Sequence, residues 1–166
     1  MPARDTAAII ASDADKALEV VNVVWLQDHR VLLVAKYPGQ MAQASQAIRG
    51  EYPDADVEVM DCMKEGCWEA DLILLNIDDE EVGTVADLIR DVAVQKPVVR
   101  LIADTDAPQM AIQLQQLMAH AKVVVASKDT VTRKILLTGN DVATKRRIQN
   151  ILKCKSGGEG GLFSSH

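Results

Sequence analysis

Short unbroken apolar runs alternate along this chain with stretches of helical periodicity, and that alternation restricts the fold more than any other feature. Val31-Leu32-Leu33-Val34 and Leu72-Ile73-Leu74-Leu75 contain no polar residue. Strands of this kind are buried on both faces, which belongs to a parallel sheet with helices on either side. The pattern predicts strands at Thr6–Ala11, Val31–Lys36, Asp56–Met60, Asp71–Ile77, Pro97–Ala103, Lys122–Ala126 and Lys134–Leu137. Between them it predicts helices. The first spans Ala14–Gln27, with Ala17, Leu18, Val21, Val24 and Trp25 at three/four spacing. Gln40–Arg49 and the short Met63–Ala70 follow. Asp78-Asp79-Glu80-Glu81 offers an N-cap and an acidic first turn for a helix running to Ala93. A Gln-rich helix covers Gln109–Ala119, with Met110, Leu114, Leu117 and Met118 on its apolar side. Thr138-Gly139-Asn140-Asp141 reads as a turn and cap before a basic helix ending near Lys153. The expected organisation is one domain over 1–155 and a flexible Gly/Ser-rich tail over 156–166.

Bulk properties narrow the function classes. A chain of 166 residues, 48% apolar and 25% charged, has the make-up of an ordinary globular domain. A net charge of −6 disfavours steering towards nucleic acid, and 3% aromatics leave little for base stacking. No apolar run approaches the roughly 18 residues that a membrane-spanning helix needs. The start Met-Pro-Ala-Arg-Asp shows no export signal, so Cys62, Cys67 and Cys154 are expected to be reduced thiols in the cytoplasm. No nucleic-acid or membrane partner is expected.

The first strand runs straight into a helix through Ala8-Ile9-Ile10-Ala11-Ser12-Asp13-Ala14-Asp15-Lys16-Ala17-Leu18. A dinucleotide-binding βαβ unit carries G-x-G-x-x-G at this point, so that backbone amides can approach a pyrophosphate. Here no glycine occurs between Met1 and Pro38, and two carboxylates occupy the turn. A carboxylate about 4 Å from a phosphate charge costs on the order of 1–4 kcal/mol, depending on screening. The frame is that of a nucleotide-binding fold, but the turn is a poor phosphate site. Asp13 or Asp15 also serves as an ordinary N-cap.

Several segments in order resemble the deazaflavin (coenzyme F-420)-dependent NADP oxidoreductase family. His29-Arg30-Val31-Leu32-Leu33-Val34-Ala35-Lys36 resembles its "G-H-x-V-x-V-x-S-R" second strand. Ala70-Asp71-Leu72-Ile73-Leu74-Leu75 resembles its fourth. Ile112–Leu117 to Ala121–Val124 resembles "A-E-x-L-Q-x-L-x-P-x-A-K-V-V". Leu136–Asp141 with Thr144-Lys145 resembles the "G-D-D-x-x-A-K" opening of the last helix, and Gly161-Leu162 a terminal "G-x-L". The resemblance implies a Rossmann-like, doubly wound α/β fold with a mostly parallel sheet and helices on both faces. It implies NADP as cofactor, with Ser12, Asp13, Ala14 and Lys16 at the phosphates and Lys36 at the adenosine 2′-phosphate. Asn76 would lie beside the nicotinamide, and Asp104 and Thr105, after strand five, would also bind the cofactor. No acidic residue stands at position 36 to hold a ribose hydroxyl, so NAD is the less expected dinucleotide.

The departures from that family all fall on the cofactor side. The glycines are gone. Asn76-Ile77-Asp78 replaces the family's Ala-Val-Pro, Asp104-Thr105-Asp106-Ala107-Pro108 stands for "D-x-T-N-P", and the loop from Val125 to Lys134 is shorter. Two functions remain open. One is a degenerate domain with weak or no dinucleotide binding and a binding or assembly role, homo-oligomeric through an apolar helix face. The other is an active NADP(H)-dependent oxidoreductase passing hydride to a flavin- or deazaflavin-type acceptor. No catalytic residue can be named. Cys62 and Cys67 lack further ligands at metal-site spacing, so no metal is expected. His29 reads as a surface turn residue, Trp68 as a core or interface residue, and the basic last helix as a solvated face.

Overall fold

The computed structural model describes residues 5–24, 26, 28–34, 38–103, 106–129, 132 and 134–152. The strands are β1 (Asp5–Ala11), β2 (His29–Val34), β3 (Asp56–Met60), β4 (Leu72–Asn76), β5 (Pro97–Ala103), β6 (Lys122–Lys128) and β7 (Ile135–Thr138). The helices are α1 (Ala14–Val23), α2 (Pro38–Glu51), α3 (Met63–Glu69), α4 (Val82–Ile89), α5 (Ala107–Leu117) and α6 (Val142–Ile151), with a 3-10 turn at Asp79–Glu81 before α4. The sheet order is β3-β2-β1-β4-β5-β6-β7. Its first six strands are parallel, and β7 runs antiparallel against β6 from Val125↔Thr138 to Lys128↔Ile135. The expected mostly parallel, doubly wound sheet is therefore present.

Period-two alternation along the central strands fills two cores. Ala7, Ile9 and Ala11 of β1 join Leu33, Leu72 and Leu74 beneath α1, α2 and α6. Ala8 and Ile10 face the other way, with Leu32, Ile73 and Leu75, against α3, α4 and α5. Every residue of β4 is buried. At about 25 cal/mol per Å² of apolar surface, this two-sided burial is the main favourable term in the fold.

Several element ends differ from expectation. α1 stops at Val23 because Val24 turns to extended backbone and bridges Leu152. The helix after the acidic run ends at Ile89 rather than Ala93, because residues 90–92 form turns that bury Val92 and Ala93. β7 is followed by Gly139, where an added Cβ would stand 2.5 Å from the Val123 carbonyl oxygen. The close approach of that turn to β6 admits no side chain.

His29 is not a surface turn residue. It opens β2 opposite Asp5, half-buried, with Nδ1 buried and without a hydrogen-bond partner. Burial holds its pKa below the ordinary 6.5; nearby Asp5 opposes this and Arg147 adds to it. The folded chain thus binds this proton less readily than the unfolded chain. Its contribution to stability is whole above pH 6.5 and is lost as pH falls through the lowered native value. Urea unfolding between pH 7.5 and 5 should show a shallower loss of stability for His29→Gln than for the parent chain; parallel curves would refute this.

Candidate ligand-binding cleft

The strand order reverses between β1 and β4, and their carboxyl ends meet at Ala11↔Asn76. Open α/β sheets bind ligands at such a switch point. A cleft of about 940 Å³ lies there, reaching across to β5 and β6 and lined by Lys16, Asn76, Asp79, Arg100 and Lys128 among others.

The chain leaves β1 through Ser12 and enters α1 with Asp13 as N-cap, in extended backbone (φ −154°, ψ 178°). The Asp13 carboxylate accepts from the Lys16 amide at 2.9 Å, so one of the amides that a phosphate would use is already bonded. Asn76 Nδ2 donates to the Lys16 carbonyl at 2.9 Å and to Glu19 Oε2 at 3.0 Å, tying the end of β4 to the first turns of α1. Ser12, Asp13, Ala14, Lys16 and Asn76 are thus brought together at the switch point. Lys36, Asp104 and Thr105 lie outside the described residues.

The acidic run does something the sequence does not announce. It was expected to cap its own helix, yet Asp78 and Glu81, at the two cap positions, make no side-chain cap bond. Three of its side-chain carboxylates instead bond residues of other elements. Asp78 Oδ1 lies 3.2 Å from Lys16 Nζ. Asp79 Oδ1 lies 2.5 Å from Arg100 Nη2. Glu81 Oε1 accepts from the Ser12 hydroxyl at 2.5 Å, and that hydroxyl in turn accepts from the Asp78 amide at 3.0 Å. The hydrogen bond to Asp78 raises the Lys16 pKa above its ordinary value, against some desolvation. Through this bond the Ser12 hydroxyl ties the Asp78 backbone to the turn after β1.

Arg100 escaped the sequence reading. Its signal was present: a lone charge in the apolar run Pro97-Val98-Val99-Arg100-Leu101. Its side chain is only 6% exposed. Besides Asp79 it meets Met110 Sδ at 3.2 Å through Nη1, and its Nε is buried with no hydrogen-bond partner among the described residues.

The remaining candidates lie elsewhere. Cys62 is an exposed thiol, while burial pushes the Cys67 thiol up to about 12. Cys154 lies outside the described residues. Among the described residues no cluster of three His, Cys, Asp or Glu side chains could hold a metal. Trp68 is not in the core: it is 70% exposed, with Lys96 Nζ 5.8 Å from its ring. The last helix is not simply a solvated basic face. Lys145 is buried, and Arg147 pairs with Asp5 at 3.3 Å.

No protein-family model matches the sequence, and no curated protein matches it. Solved structures share the fold. A pyrroline-5-carboxylate reductase from Coxiella burnetii superposes with a TM-score of 0.70 at 14% identity, over 99% of this chain and 59% of its own. An imine reductase from Myxococcus stipitatus, in complex with NADP+, gives 0.64 at 13%, over 97% and 54%. An Arthrobacter protein described as a coenzyme F-420-dependent NADP reductase gives 0.65 at 14%, over 96% and 83%. The chain spans little more than half the length of the first two. It carries a Rossmann-like α/β domain of the kind found in NAD(P)-dependent reductases. Among the described residues no helix is long and apolar enough to cross a membrane.

Because Asp13 caps α1, replacing it with alanine should lower stability by about 1 kcal/mol, within the usual 0.5–2 range for cap loss. Chemical denaturation measures this, and an unchanged midpoint would show that the cap bond contributes nothing.

Proposed function

We propose that this chain is a Rossmann-like domain whose dinucleotide crevice has been given over to another use, with weak or no dinucleotide binding and a binding or assembly role. One observation carries the reading: Asp78 and Asp79 pair with Lys16 and Arg100, two of the cations on the cleft, and Glu81 holds the Ser12 hydroxyl in the turn after β1. A pyrophosphate would have to break these contacts and then sit beside the displaced carboxylates. The Asp13 cap and the missing glycines support the same conclusion.

The second reading is an active NADP(H)-dependent reductase that passes hydride to a flavin- or deazaflavin-type acceptor. The size and position of the cleft favour it, as does the NADP+ complex of the similar imine reductase. In that case Ser12, Asp13, Ala14, Lys16, Lys36, Asn76, Asp104 and Thr105 line the cofactor. A ligand at about 100 times its Kd adds about 2.7 kcal/mol of stability, which for a chain of this size is several degrees in melting temperature. Millimolar NADP(H) and NAD(H) should therefore leave the melting temperature unchanged. Micromolar NADPH affinity, abolished by Lys36→Glu, would instead establish the reductase reading.

For assembly, α5 is the surface to test. Ala107-Pro108-Gln109-Met110-Ala111-Ile112-Gln113-Leu114-Gln115-Gln116-Leu117 carries no charge, unlike the other five helices. Ile112 and Leu117 are 54% and 37% exposed on it, and Leu88 of neighbouring α4 is 49% exposed. A chain of net charge −6 repels its own copies over most approaches. An uncharged face bearing Gln amides, each both donor and acceptor, is self-complementary across a two-fold axis. A second copy is the occupant that suits it. Sedimentation should show a dimer that Ile112→Glu converts to monomer; a parent chain that stays monomeric at high concentration would rule out this assembly.

A further inference from the structure

We propose that Arg100 anchors a small carboxylate-bearing ligand in the cleft, in the place where Asp79 now sits. The proposal rests on the reading that the crevice no longer serves a dinucleotide, and it names what the crevice takes instead.

A guanidinium presents paired N–H donors in a fixed fork, and its best partner is a carboxylate taking both together. The edge formed by Nε–H and Nη2–H of Arg100 is one such fork. Among the described residues Asp79 meets the guanidinium at one nitrogen only, with Oδ1 on Nη2 at 2.5 Å. The Arg100 Nε has no hydrogen-bond partner among the described residues although it is buried. A buried charge with an unmet donor is costly, so a two-oxygen partner gains more here than on a solvated arginine. The present occupant is poorly held. Asp79 is 74% exposed and belongs to a three-residue 3-10 turn, so it can swing towards water when a ligand replaces it.

The rest of the lining selects the ligand's charge. Glu19, Asp78, Asp79 and Glu80, four carboxylates, share the cleft with the three cations Arg100, Lys16 and Lys128, and Lys16 is already paired. One negative group fits at Arg100, whereas a diphosphate meets net repulsion. The remainder of the ligand must be neutral or cationic. The volume of about 940 Å³ lies in the range of small-molecule sites.

The test uses the full chain, with propionate as the monocarboxylate probe, glycine as a carboxylate with an ammonium, and inorganic phosphate as the competing anion. Propionate and glycine should shift the Arg100 Nε–H resonance in a 15N–1H spectrum. Asp79→Asn removes the competing charge from an exposed position without touching the core. It should tighten both ligands by about tenfold, the order of one charged hydrogen bond. Arg100→Lys keeps the charge but loses the fork, and should abolish the Asp79→Asn gain. The proposal is overturned if neither ligand moves the Nε–H signal, if Asp79→Asn leaves affinity unchanged, or if phosphate binds as well as propionate. A peptide C-terminus binding far better than propionate would overturn the small-molecule assignment. Tight NADPH binding in the same samples would instead overturn the repurposed crevice, so the two failures are distinguishable.

Discussion

The constraint on which the structure depends is that β1 and β4 must be hidden on both faces at once. Ile9 and Ile10 are neighbours in sequence, yet they belong to different cores. Neither core can be lost without exposing the same strands. Helices are thereby obliged to cover both sides, and parallel crossovers follow. Polar chemistry is left with the strand ends, and the cleft opens at the carboxyl ends.

The same constraint explains what was legible in advance. The unbroken apolar runs Val31–Val34 and Leu72–Leu75 lie inside β2 and β4, because two-sided burial leaves its mark on every residue there, and the strand pattern also placed Asp56–Met60 and Pro97–Ala103 at their observed bounds. Helix ends were less legible. α1 ends where Val24 finds a partner in Leu152, at the far end of the described chain, and no local pattern encodes that. His29 looked like a turn residue because its neighbours are polar; its burial comes from strand pairing with Asp5.

The candidate site was legible only in part. The missing glycines and the Asp13 cap could be read from the sequence, since a cap acts within a few residues. The carboxylate contacts could not. Ser12 and Glu81 are 69 positions apart, and Asp79 and Arg100 are 21 apart on different elements. A run of four acidic residues ahead of a helix has a sufficient local explanation in capping and dipole. That explanation hid the longer-range one. In the similar reductases the fold is the same at 13–14% identity, so the core pattern is shared while the groups on the cleft are free to differ.

The carboxylates that meet Lys16, Arg100 and Ser12 all come from one tetrapeptide, 78–81. Replacing Asp78, Asp79 and Glu81 alone would therefore release Lys16, Arg100 and Ser12 while positions 12–16 stayed as they are. The character of the crevice is set in trans, by a segment more than sixty residues downstream. In a lineage carrying this arrangement, a few changes in that tetrapeptide would alter three contacts together while both hydrophobic cores stayed untouched.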